Sequence, residues 1–497
     1  MATRQLNGSA VPHAEEVNPT ERTEICIGGR SAEKRRALRW VIRQPKGTPV
    51  IRVFGYVVTK VLRRAADMVT FDRSSFESAL ARIPEGTLVV IAPTHRSYMD
   101  FLLCSYLFFD QPQLGVAIPH IAAAEEFSRI PLLGWLFRKA NAFFIKRGMR
   151  RQDYIDLKER VEKLVSRRET LQVFIEGTRS RARQFLPPKH GVLKCLQETG
   201  QAVTILPIAI SYDRVSEEAS FLLELGGRPK PKMRLRTLTR WTTRLLRGKI
   251  KIGHIHIACG APVMLDEFSR LREVAEAVIG QLQARTVATT LHLKSFLALN
   301  AIDGDLQWLS EVLEARGGPV LKSKLDSRPE TNPLLERCMR YHWIHLFYPE
   351  ARALFPENPA IQHHVSFNGY LQNPTLSELP DHDDPRVGQL LRALFEPICY
   401  DYVAVSKSLG NPGDSLEGVN PLSFLRSHPS SFLPDIEGAF DAMVKRQILA
   451  HGKEPGSYRW GRCAAEIGAF SRACVFSDAS TSQTADLQEA NAADSHA

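Results

Sequence analysis

The sequence predicts an α/β fold, a sheet with helices packed on its faces, and three observations support this prediction. Short β-rich runs recur between residues 85 and 265 and alternate with helical patterns. A hydrophobic content of 44% with 24% charged residues is typical of a globular chain. With 497 residues the chain can bury at least one sizeable core. Strands that alternate with helices imply a sheet covered by those helices.

The chain divides by composition into five segments. Residues 1–30 are polar and predict a flexible leader, and residues 31–84 alternate basic and apolar residues, which predicts amphipathic helices. Residues 85–268 carry the alternating strands and helices, and residues 269–470 are mostly helical in pattern. Residues 471–497 are acidic and rich in Ser, Thr and Ala, which predicts a disordered tail.

The β-rich runs define the predicted strands. These are Thr87–Ala92, Gly115–Ile118, Ala142–Ile145, Leu171–Ile175, Val203–Ile210 and Lys251–Ala258. The predicted helices include Asp153–Arg168, Glu267–Arg285 and Asp305–Ala315. His254 and His256 alternate along the last strand, so we interpret them as sheet residues and expect no metal site there.

Charge and cysteine usage limit the kind of protein. The chain has 65 Lys+Arg against 54 Asp+Glu, a net charge of +11, which favours an anionic partner. No aromatic-rich nucleic-acid motif is present, so nucleic acid is not expected. The eight cysteines include no C-x-x-C pair, which predicts free thiols in a reducing compartment. We expect no signal peptide in the polar first 30 residues and no spanning helix, because no run of 18 apolar residues occurs.

Residues 87–101 contain the first motif that carries chemistry. They read TLVVIAPTHRSYMDF, a buried-type strand followed by a Pro-containing turn and an apolar helix. His95 and Asp100 are five residues apart, a spacing that a regular helix or strand would not bring together. The turn removes this obstacle. Ser97 is a good N-cap with Asp100 three residues later, similar to a capping box, so Asp100 would lie in the first helical turn with His95 folded back across it.

This pair predicts general-base chemistry. An alcohol is a poor nucleophile at neutral pH and needs a base as it attacks. A carboxylate on one imidazole nitrogen leaves the other nitrogen free to accept a proton, so Asp100 would orient His95 as in a Ser-His-Asp triad, with the substrate in place of the serine. The alternative is that Asp100 only caps a helix and His95 is a turn residue.

The second motif is residues 171–183, LQVFIEGTRSRAR. An apolar strand ends at Glu176 and Gly177, and a turn with Arg179 and Arg181 follows. Planar guanidinium groups on such a turn are suited to bidentate phosphate recognition, and glycine lets the backbone approach a ligand closely. The alternative is a solvated basic turn. The G-x-x-x-x-G-K-[ST] pattern of a nucleotide-binding loop is absent.

Four pieces in this order resemble a known family. HRSYMD, FFIKR, FIEGTRSR and LPIAISYD resemble the four blocks of the glycerol-3-phosphate and dihydroxyacetone-phosphate acyltransferases. The stretch after the fourth block, YDRVSEEASFLLELGGRPKPK, also resembles the dihydroxyacetone-phosphate branch and its glycerol-3-phosphate relatives. One departure is Asn141, where the second block of the family usually opens with Gly.

The resemblance implies a catalytic domain over residues 85–268, with a mixed sheet flanked by helices, and helical regions on either side. His95 would be the general base and Asp100 its orienting partner. The residues implied to bind the acceptor phosphate and glycerol oxygens are Arg147, Glu176, Gly177, Arg179 and Arg181. Pro207 would belong to the fourth block, on the acyl-donor side. No metal or other cofactor is implied.

The implied activity is transfer of a fatty acyl group from acyl-CoA, as co-substrate, or from acyl-carrier protein to the sn-1 hydroxyl of glycerol 3-phosphate, the first step of phospholipid synthesis. Ionised Glu176 can only accept a hydrogen bond, which favours this alcohol over the ketone. The stretch after the fourth block leans toward dihydroxyacetone phosphate. Lysophosphatidate is a further alternative acceptor, and a non-catalytic lipid-binding protein is the alternative of another class.

Two basic segments, 22–64 and 228–251, predict contact with an anionic membrane surface. The first mixes its charges with apolar residues, which is typical of an interfacial helix. Residues 130–137, IPLLGWLF, add an apolar patch beside Arg138 and Lys139. We therefore expect a peripheral protein on the cytoplasmic face of a membrane. A helix pair packed in the core is the alternative.

Overall fold

The structure, a computed structural model, describes residues 22–24, 49–129, 133–139, 141–146, 151–229, 235–365 and 384–475. Within these ranges, nine strands form one mixed sheet. They are β1 (Arg22–Glu24), β2 (Ala66–Asp72), β3 (Leu88–Pro93), β4 (His120–Ala124), β5 (Ala142–Ile145), β6 (Leu171–Gln172), β7 (Val203–Tyr212), β8 (Gly253–Cys259) and β9 (Val263–Leu265).

The strand order is β1-β2-β8-β7-β3-β6-β4-β5, with β9 paired to the first half of β7. Strands β3, β4, β5, β6 and β7 run parallel, whereas β8 and β9 pair antiparallel with β7. Every residue of β7 is buried, as expected for a central strand covered on both faces. The parallel strands therefore deliver their carboxyl ends to one edge of the sheet.

Eighteen helices are described. Those up to residue 284 are α1 (Pro49–Ala65), α2 (Arg73–Leu80), α3 (Met99–Asp110), α4 (Leu133–Lys139), α5 (Arg151–Ser166), α6 (Gly191–Gln197), α7 (Glu218–Leu225), α8 (Leu235–Leu246) and α9 (Leu271–Ala284). The remainder are α10 (Thr290–Leu299), α11 (Leu306–Glu314), α12 (Pro333–Tyr341), α13 (Tyr348–Leu354), α14 (Pro359–Val365), α15 (Pro385–Ser408), α16 (Pro421–Ser427), α17 (Leu433–Lys445) and α18 (Ile467–Ala473).

The sheet separates two apolar cores. Alternate residues of β3 and β7 point to opposite faces, so Ile91 and Ile208 pack with α1, α2 and α3, whereas Val90 and Ile205 pack with α5, α6 and α9. Helices α10–α18 enclose a third core of their own. Two small sheets lie among them, β10 (Ala288–Thr289) with β11 (Val320–Leu321), and β12 (Leu449–His451) with β13 (Tyr458–Trp460).

The predicted fold class is confirmed, and the strands at 142–145, 203–210 and 251–258 are found with small shifts in their ends. The prediction of a strand at Gly115–Ile118 is wrong, because the chain reaches the sheet later, at β4. The prediction of helices throughout 31–84 is wrong at β2, which pairs with β8. A short strand within the predicted leader, β1, pairs with β2. Strand β6 is shorter than predicted, because the chain leaves the sheet after Gln172 to form a loop.

Several smaller predictions can be compared with the described residues. Both His254 and His256 lie on β8 and hydrogen-bond the hydroxyl of Thr70, at 2.7 and 2.8 Å. The seven cysteines in the described ranges are free thiols, and Cys26 lies outside them. None of the described helices combines the length and the hydropathy needed to cross a membrane.

Candidate active site

Two loops meet where neighbouring parallel strands end. Strand β3 pairs with β6 in parallel, so the turn after Pro93 and the loop after Gln172 leave the sheet at the same edge. The amide of Ser180 donates to the carbonyl of His95 at 2.9 Å and joins the two loops directly. In open α/β sheets, a crevice outside the carboxyl ends of the strands is the usual ligand-binding position.

The turn between β3 and α3 brings His95 and Asp100 together, as the sequence predicts. Nδ1 of His95 lies 3.4 Å from Oδ2 of Asp100, a long contact, while the same oxygen accepts the backbone N–H groups of Arg96 and Ser97 at 2.6 and 2.7 Å. Helix α3 begins at Met99, so the predicted N-cap at Ser97 lies one residue too early, although its hydroxyl accepts from the amide of Met99 at 3.1 Å. Asp100 thus holds the turn and the imidazole at once.

His95 is suited to accept a proton. Its ring stacks on Phe174, with centroids 4.0 Å apart, and its side chain is 15% exposed. Burial lowers the pKa of His95 below its ordinary value, although the hydrogen bond and charge of Asp100 oppose this effect. The imidazole is therefore neutral at neutral pH. Because Nδ1 faces Asp100, Nε2 is the nitrogen left for a substrate.

Glu176 is buried and fully engaged within the protein. Its carboxylate accepts from Nη1 of Arg96 at 2.7 and 2.8 Å, from the amide of His95 at 3.1 Å and from the amide of Leu186 at 2.9 Å. These contacts use the acceptor positions of both oxygens. The geometry therefore favours Glu176 as a residue that ties the two loops together, and leaves it no acceptor position for a substrate hydroxyl.

Gly177 has a φ of +69°, a backbone conformation that L side chains rarely adopt. A Cβ at this position would also lie 2.8 Å from Cγ of Lys189. Glycine at this position therefore allows the turn and leaves room for the aliphatic part of the Lys189 side chain. Both residues line the same cavity as His95.

Arg179 reaches the same place from the second loop. Its guanidinium lies 3.5 Å from the ring centroid of Tyr98, and Nη1 is 3.3 Å from Glu217. Glu217 also accepts from the amide of Tyr98 at 2.6 Å and from the hydroxyl of Ser97 at 2.8 Å. Glu217 therefore fixes Arg179 and the His95 turn relative to each other.

Of the other predicted site residues, Arg181 and Pro207 lie elsewhere. Arg181 is 42% exposed, pairs with Glu224, and is not among the residues lining the cavity. Pro207 is buried in the middle of β7, where pairing passes from β9 to β8, and its carbonyl accepts from the amide of Gly260 at 2.8 Å. Arg147 lies outside the described residues.

Asn141 replaces the family glycine without loss of geometry. Its φ is +63°, in the left-handed region that glycine favours and asparagine tolerates. The chain can therefore make the same entry into β5. Lys146, at the far end of β5, lines the cavity and pairs with Asp153 at 2.6 Å.

The cavity measures about 530 Å³, and its two ends differ in character. The polar end carries His95, Arg179 and Lys189. The walls are mostly apolar and come from α1, α3, α4, β4 and β5, with Ile51, Val58, Phe101, Leu102, Phe109, Ile121, Phe127, Phe137 and Ile145. Helix α3 is apolar on all sides because one side packs on the sheet and another lines this cavity. The space is suited to a hydrocarbon chain whose reactive end lies at His95.

Sequence reasoning missed three residues of the site. Arg96 neutralises Glu176, Glu217 holds Arg179, and Tyr212 donates to Oδ1 of Asp100 at 2.5 Å. Glu217 and Tyr212 belong to the YDRVSEE stretch, which is part of the family resemblance. The resemblance implies no role for either residue. No group of three or more His, Cys, Asp or Glu in the described part of the chain is placed to hold a metal ion.

Comparison with known proteins finds a family match for part of the sheet domain. Residues 75–211 match the family model described as Acyltransferase. This segment contains β3–β6, all of β7 except its last residue, and both loops of the candidate site. This part of the chain is therefore similar to an acyltransferase domain.

Two relatives show which acyltransferases this part of the chain resembles. A glycerol-3-phosphate acyltransferase of Xylella fastidiosa (strain 9a5c) is 34% identical over 256 residues, which cover 50% of this chain and 28% of the relative. A dihydroxyacetone phosphate acyltransferase of Bos taurus is 33% identical over 227 residues, 43% of this chain and 32% of the relative. The matches thus span about a third of the length of these relatives. The resemblance to these acyltransferases is confirmed for this part of the chain.

Among solved structures, the 1-acyl-sn-glycerophosphate (LPA) acyltransferase PlsC of Thermotoga maritima matches 50% of this chain and 84% of its own. The identity is 22% and the TM-score is 0.29.

Proposed function

We propose that this protein transfers a fatty acyl group from a thioester donor, acyl-CoA or acyl-carrier protein, to the sn-1 hydroxyl of glycerol 3-phosphate. The observation that carries the proposal is the position of His95, oriented by Asp100, at the polar end of a largely apolar cavity. A base beside a hydrocarbon-sized cavity suits acyl transfer to an alcohol. The family match and the names of the relatives support the same reaction class.

In the proposed reaction, Nε2 of His95 removes the proton of the acceptor hydroxyl as its oxygen attacks the thioester carbonyl. Asp100 stabilises the imidazolium that forms. The new C–O bond forms, the C–S bond breaks, and the imidazolium returns its proton to the departing thiolate. The products are the ester and a free thiol, and His95 is neutral again.

Arg179 is our candidate for the acceptor phosphate, with Lys189 as a second cation. Both line the polar end of the cavity, and Lys189 is exposed. A phosphate held there by charge-assisted hydrogen bonds would present the adjacent three-carbon unit to His95. The sequence-based roles of Arg147 and Arg181 in phosphate binding stay predictions.

Dihydroxyacetone phosphate is the second candidate acceptor. The Bos taurus relative is named for this substrate. Glu176 is also unsuited to select the alcohol, because the acceptor positions of its carboxylate are filled by Arg96 and two backbone amides. A site without a group dedicated to the middle hydroxyl would accept the alcohol and the ketone alike.

The test is acyl transfer by the purified protein, with acyl-CoA and acyl-carrier protein as donors and glycerol 3-phosphate, dihydroxyacetone phosphate and lysophosphatidate as parallel acceptors. We expect acylation of glycerol 3-phosphate. Product with lysophosphatidate alone would show that the acceptor is wrong, and no product with any acceptor would show that the activity is wrong.

We also propose that the protein acts at the surface of an anionic membrane, on its cytoplasmic face. Helices α1 and α4, which contact each other, leave Val53, Val57 and Trp135 exposed by 64%, 41% and 49%. Exposed basic residues lie beside them, including Lys60 and Arg138. The other face of α1 is buried against the sheet, so the helix serves as core and surface at once.

A further inference from the structure

We infer that Tyr212 is a positioning residue for the His95–Asp100 pair, and that its hydroxyl fixes the orientation of the Asp100 carboxylate that faces His95. The inference rests on the proposed function and adds a residue to its machinery. Tyr212 is the last residue of β7 and lies one position beyond the segment that matches the family model.

The two oxygens of Asp100 have different partners. Oδ1 accepts the hydroxyl of Tyr212 at 2.5 Å, whereas Oδ2 accepts the amides of Arg96 and Ser97 and faces Nδ1 of His95. A carboxylate held on both oxygens cannot turn about its last bond without breaking a hydrogen bond. Without the phenol, only the Oδ2 side stays fixed, and the 3.4 Å contact to His95 loses its alignment.

The phenol is suited to donate. Tyr212 is 1% exposed, and burial together with the charge of Asp100 raises its pKa well above the usual value near 10. Its hydroxyl therefore keeps its proton at any pH at which the enzyme would work. Among the described residues, the charged or titratable groups near His95 include Asp100, Glu176 and Arg179, and Nη1 of Arg96 lies 3.3 Å from its carbonyl oxygen. Those near Tyr212 are Asp100, Glu217, Cys104, Arg183 and His292.

The backbone of Tyr212 is fixed as well. Its carbonyl accepts from Nη1 of Arg183 at 3.1 Å and from Nε2 of His292 at 3.1 Å. Arg183 belongs to the second site loop, and His292 lies on α10 in the carboxyl-terminal region. The strand end that carries the phenol is therefore held by donors from two different elements, which fixes the position of the phenol relative to Asp100.

The test is Tyr212→Phe, which keeps the ring and removes only the donor. We expect kcat to fall about ten- to a hundredfold, the range of a hydrogen bond to a charged group, with the acceptor KM unchanged. The acid limb of the pH–rate profile should move up by roughly half a unit, because the charge of Asp100 is then no longer shared with the phenol, and its attraction for protonated His95 does not depend on the alignment of a hydrogen bond.

The matched control is Tyr341→Phe. Tyr341 is also 1% exposed and donates to a buried carboxylate, that of Asp435, but it lies in the carboxyl-terminal core. We expect this control to lower the melting temperature without changing kcat or the pH profile. If Tyr212→Phe behaves like the control, the role of Tyr212 is structural and the inference is overturned.

A second variant keeps the inference testable if Tyr212→Phe folds poorly. Replacing Tyr212 by difluorotyrosine makes the phenol a stronger donor and should move the acid limb down, opposite to Tyr212→Phe. An unmoved acid limb in this variant would also overturn the inference. An inactive wild-type protein would instead contradict the proposed function, so the two failures are distinguishable.

Discussion

At the scale of single residues, the site depends on buried carboxylates that are surrounded by donors. Asp100 has three donors besides His95, and Glu176 accepts from Arg96 and two backbone amides. A buried carboxylate without such partners is costly, because removing a partner leaves an uncompensated charge. The same contacts that stabilise these groups also fix the His95 ring, so folding and site geometry depend on one network.

The first prediction at this scale concerns the base. His95→Ala should lower kcat by at least about a hundredfold, since general-base catalysis contributes 10²–10⁴-fold. Circular dichroism and melting temperature should change little, because the Asp100 carboxylate keeps the donors Arg96, Ser97 and Tyr212. His451→Ala, at an exposed histidine in the β12–β13 hairpin, is the control. Near wild-type turnover of His95→Ala would contradict the mechanism.

The second prediction separates two arginines of one loop. Arg179→Ala should raise the acceptor KM about ten- to a hundredfold, because it removes a charge-assisted hydrogen bond to the phosphate, and should leave the donor KM unchanged. Arg181→Ala should have little effect on either KM, because Arg181 pairs with Glu224 outside the cavity. A rise in the donor KM would mean that Arg179 holds the donor. A large effect of Arg181→Ala would support the role that the resemblance implies.

At the scale of elements, the sequence identified most strands and both site motifs, because periodicity and turn chemistry are local signals. It placed a strand at 115–118 instead of at β4, whose sequence HIAAA carries little β propensity and joins the sheet through its pairing with β5 and β6. It also predicts the same role, binding of the acceptor, for Arg181, Glu176 and Arg179. Which side chain enters the cavity depends on partners distant in sequence, such as Glu224 and Arg96, and no spacing rule reports these.

The prediction for elements concerns the exposed faces of α1 and α4. Val53→Glu together with Val57→Glu should weaken binding to anionic vesicles at least about tenfold. Each valine that becomes buried in the membrane contributes about 1.5–3 kcal/mol to the binding free energy. Cosedimentation at low salt measures this. The control is Leu354→Glu with Leu422→Glu, two leucines of similar exposure in the carboxyl-terminal region. The surface is misassigned if the wild-type protein does not sediment with these vesicles, or if the control pair weakens binding equally.

At the scale of the whole molecule, the carboxyl-terminal region hydrogen-bonds to the sheet domain, a role that its sequence pattern does not reveal. His342 and His345 donate to the carbonyls of Val287 and Gln283, next to helix α9 of the sheet domain, at 3.1 and 3.0 Å. His292 reaches the end of β7. Three histidines in neutral form thus join the two parts of the molecule, behind the loop that carries Arg183.

This junction should be sensitive to acid, which is the last prediction. Burial, aided by the charge of Arg96, lowers the pKa of His345 to about 4, and burial with neighbouring Arg183 lowers that of His292 to about 4. Because the unfolded chain binds these protons more readily, the stabilisation is complete above pH 6.5 and is lost as the pH falls toward 4. Each histidine should therefore lower the free energy of unfolding by about 2 kcal/mol at pH 5 relative to pH 7.

His345→Gln tests this prediction, since its amide can still donate to the carbonyl of Gln283 but does not titrate. Urea unfolding at pH 7 and pH 5 should show a loss of stability that is about 2 kcal/mol smaller in the variant than in the wild-type protein. His451→Gln, at an exposed histidine, should behave like the wild type. Asp401 has the opposite pH dependence. Burial raises its pKa to about 6, so its contribution to the free energy of unfolding is greatest at acid pH and falls as the pH rises toward 6. Equal losses in wild type and His345→Gln would show that this histidine does not cause the acid sensitivity.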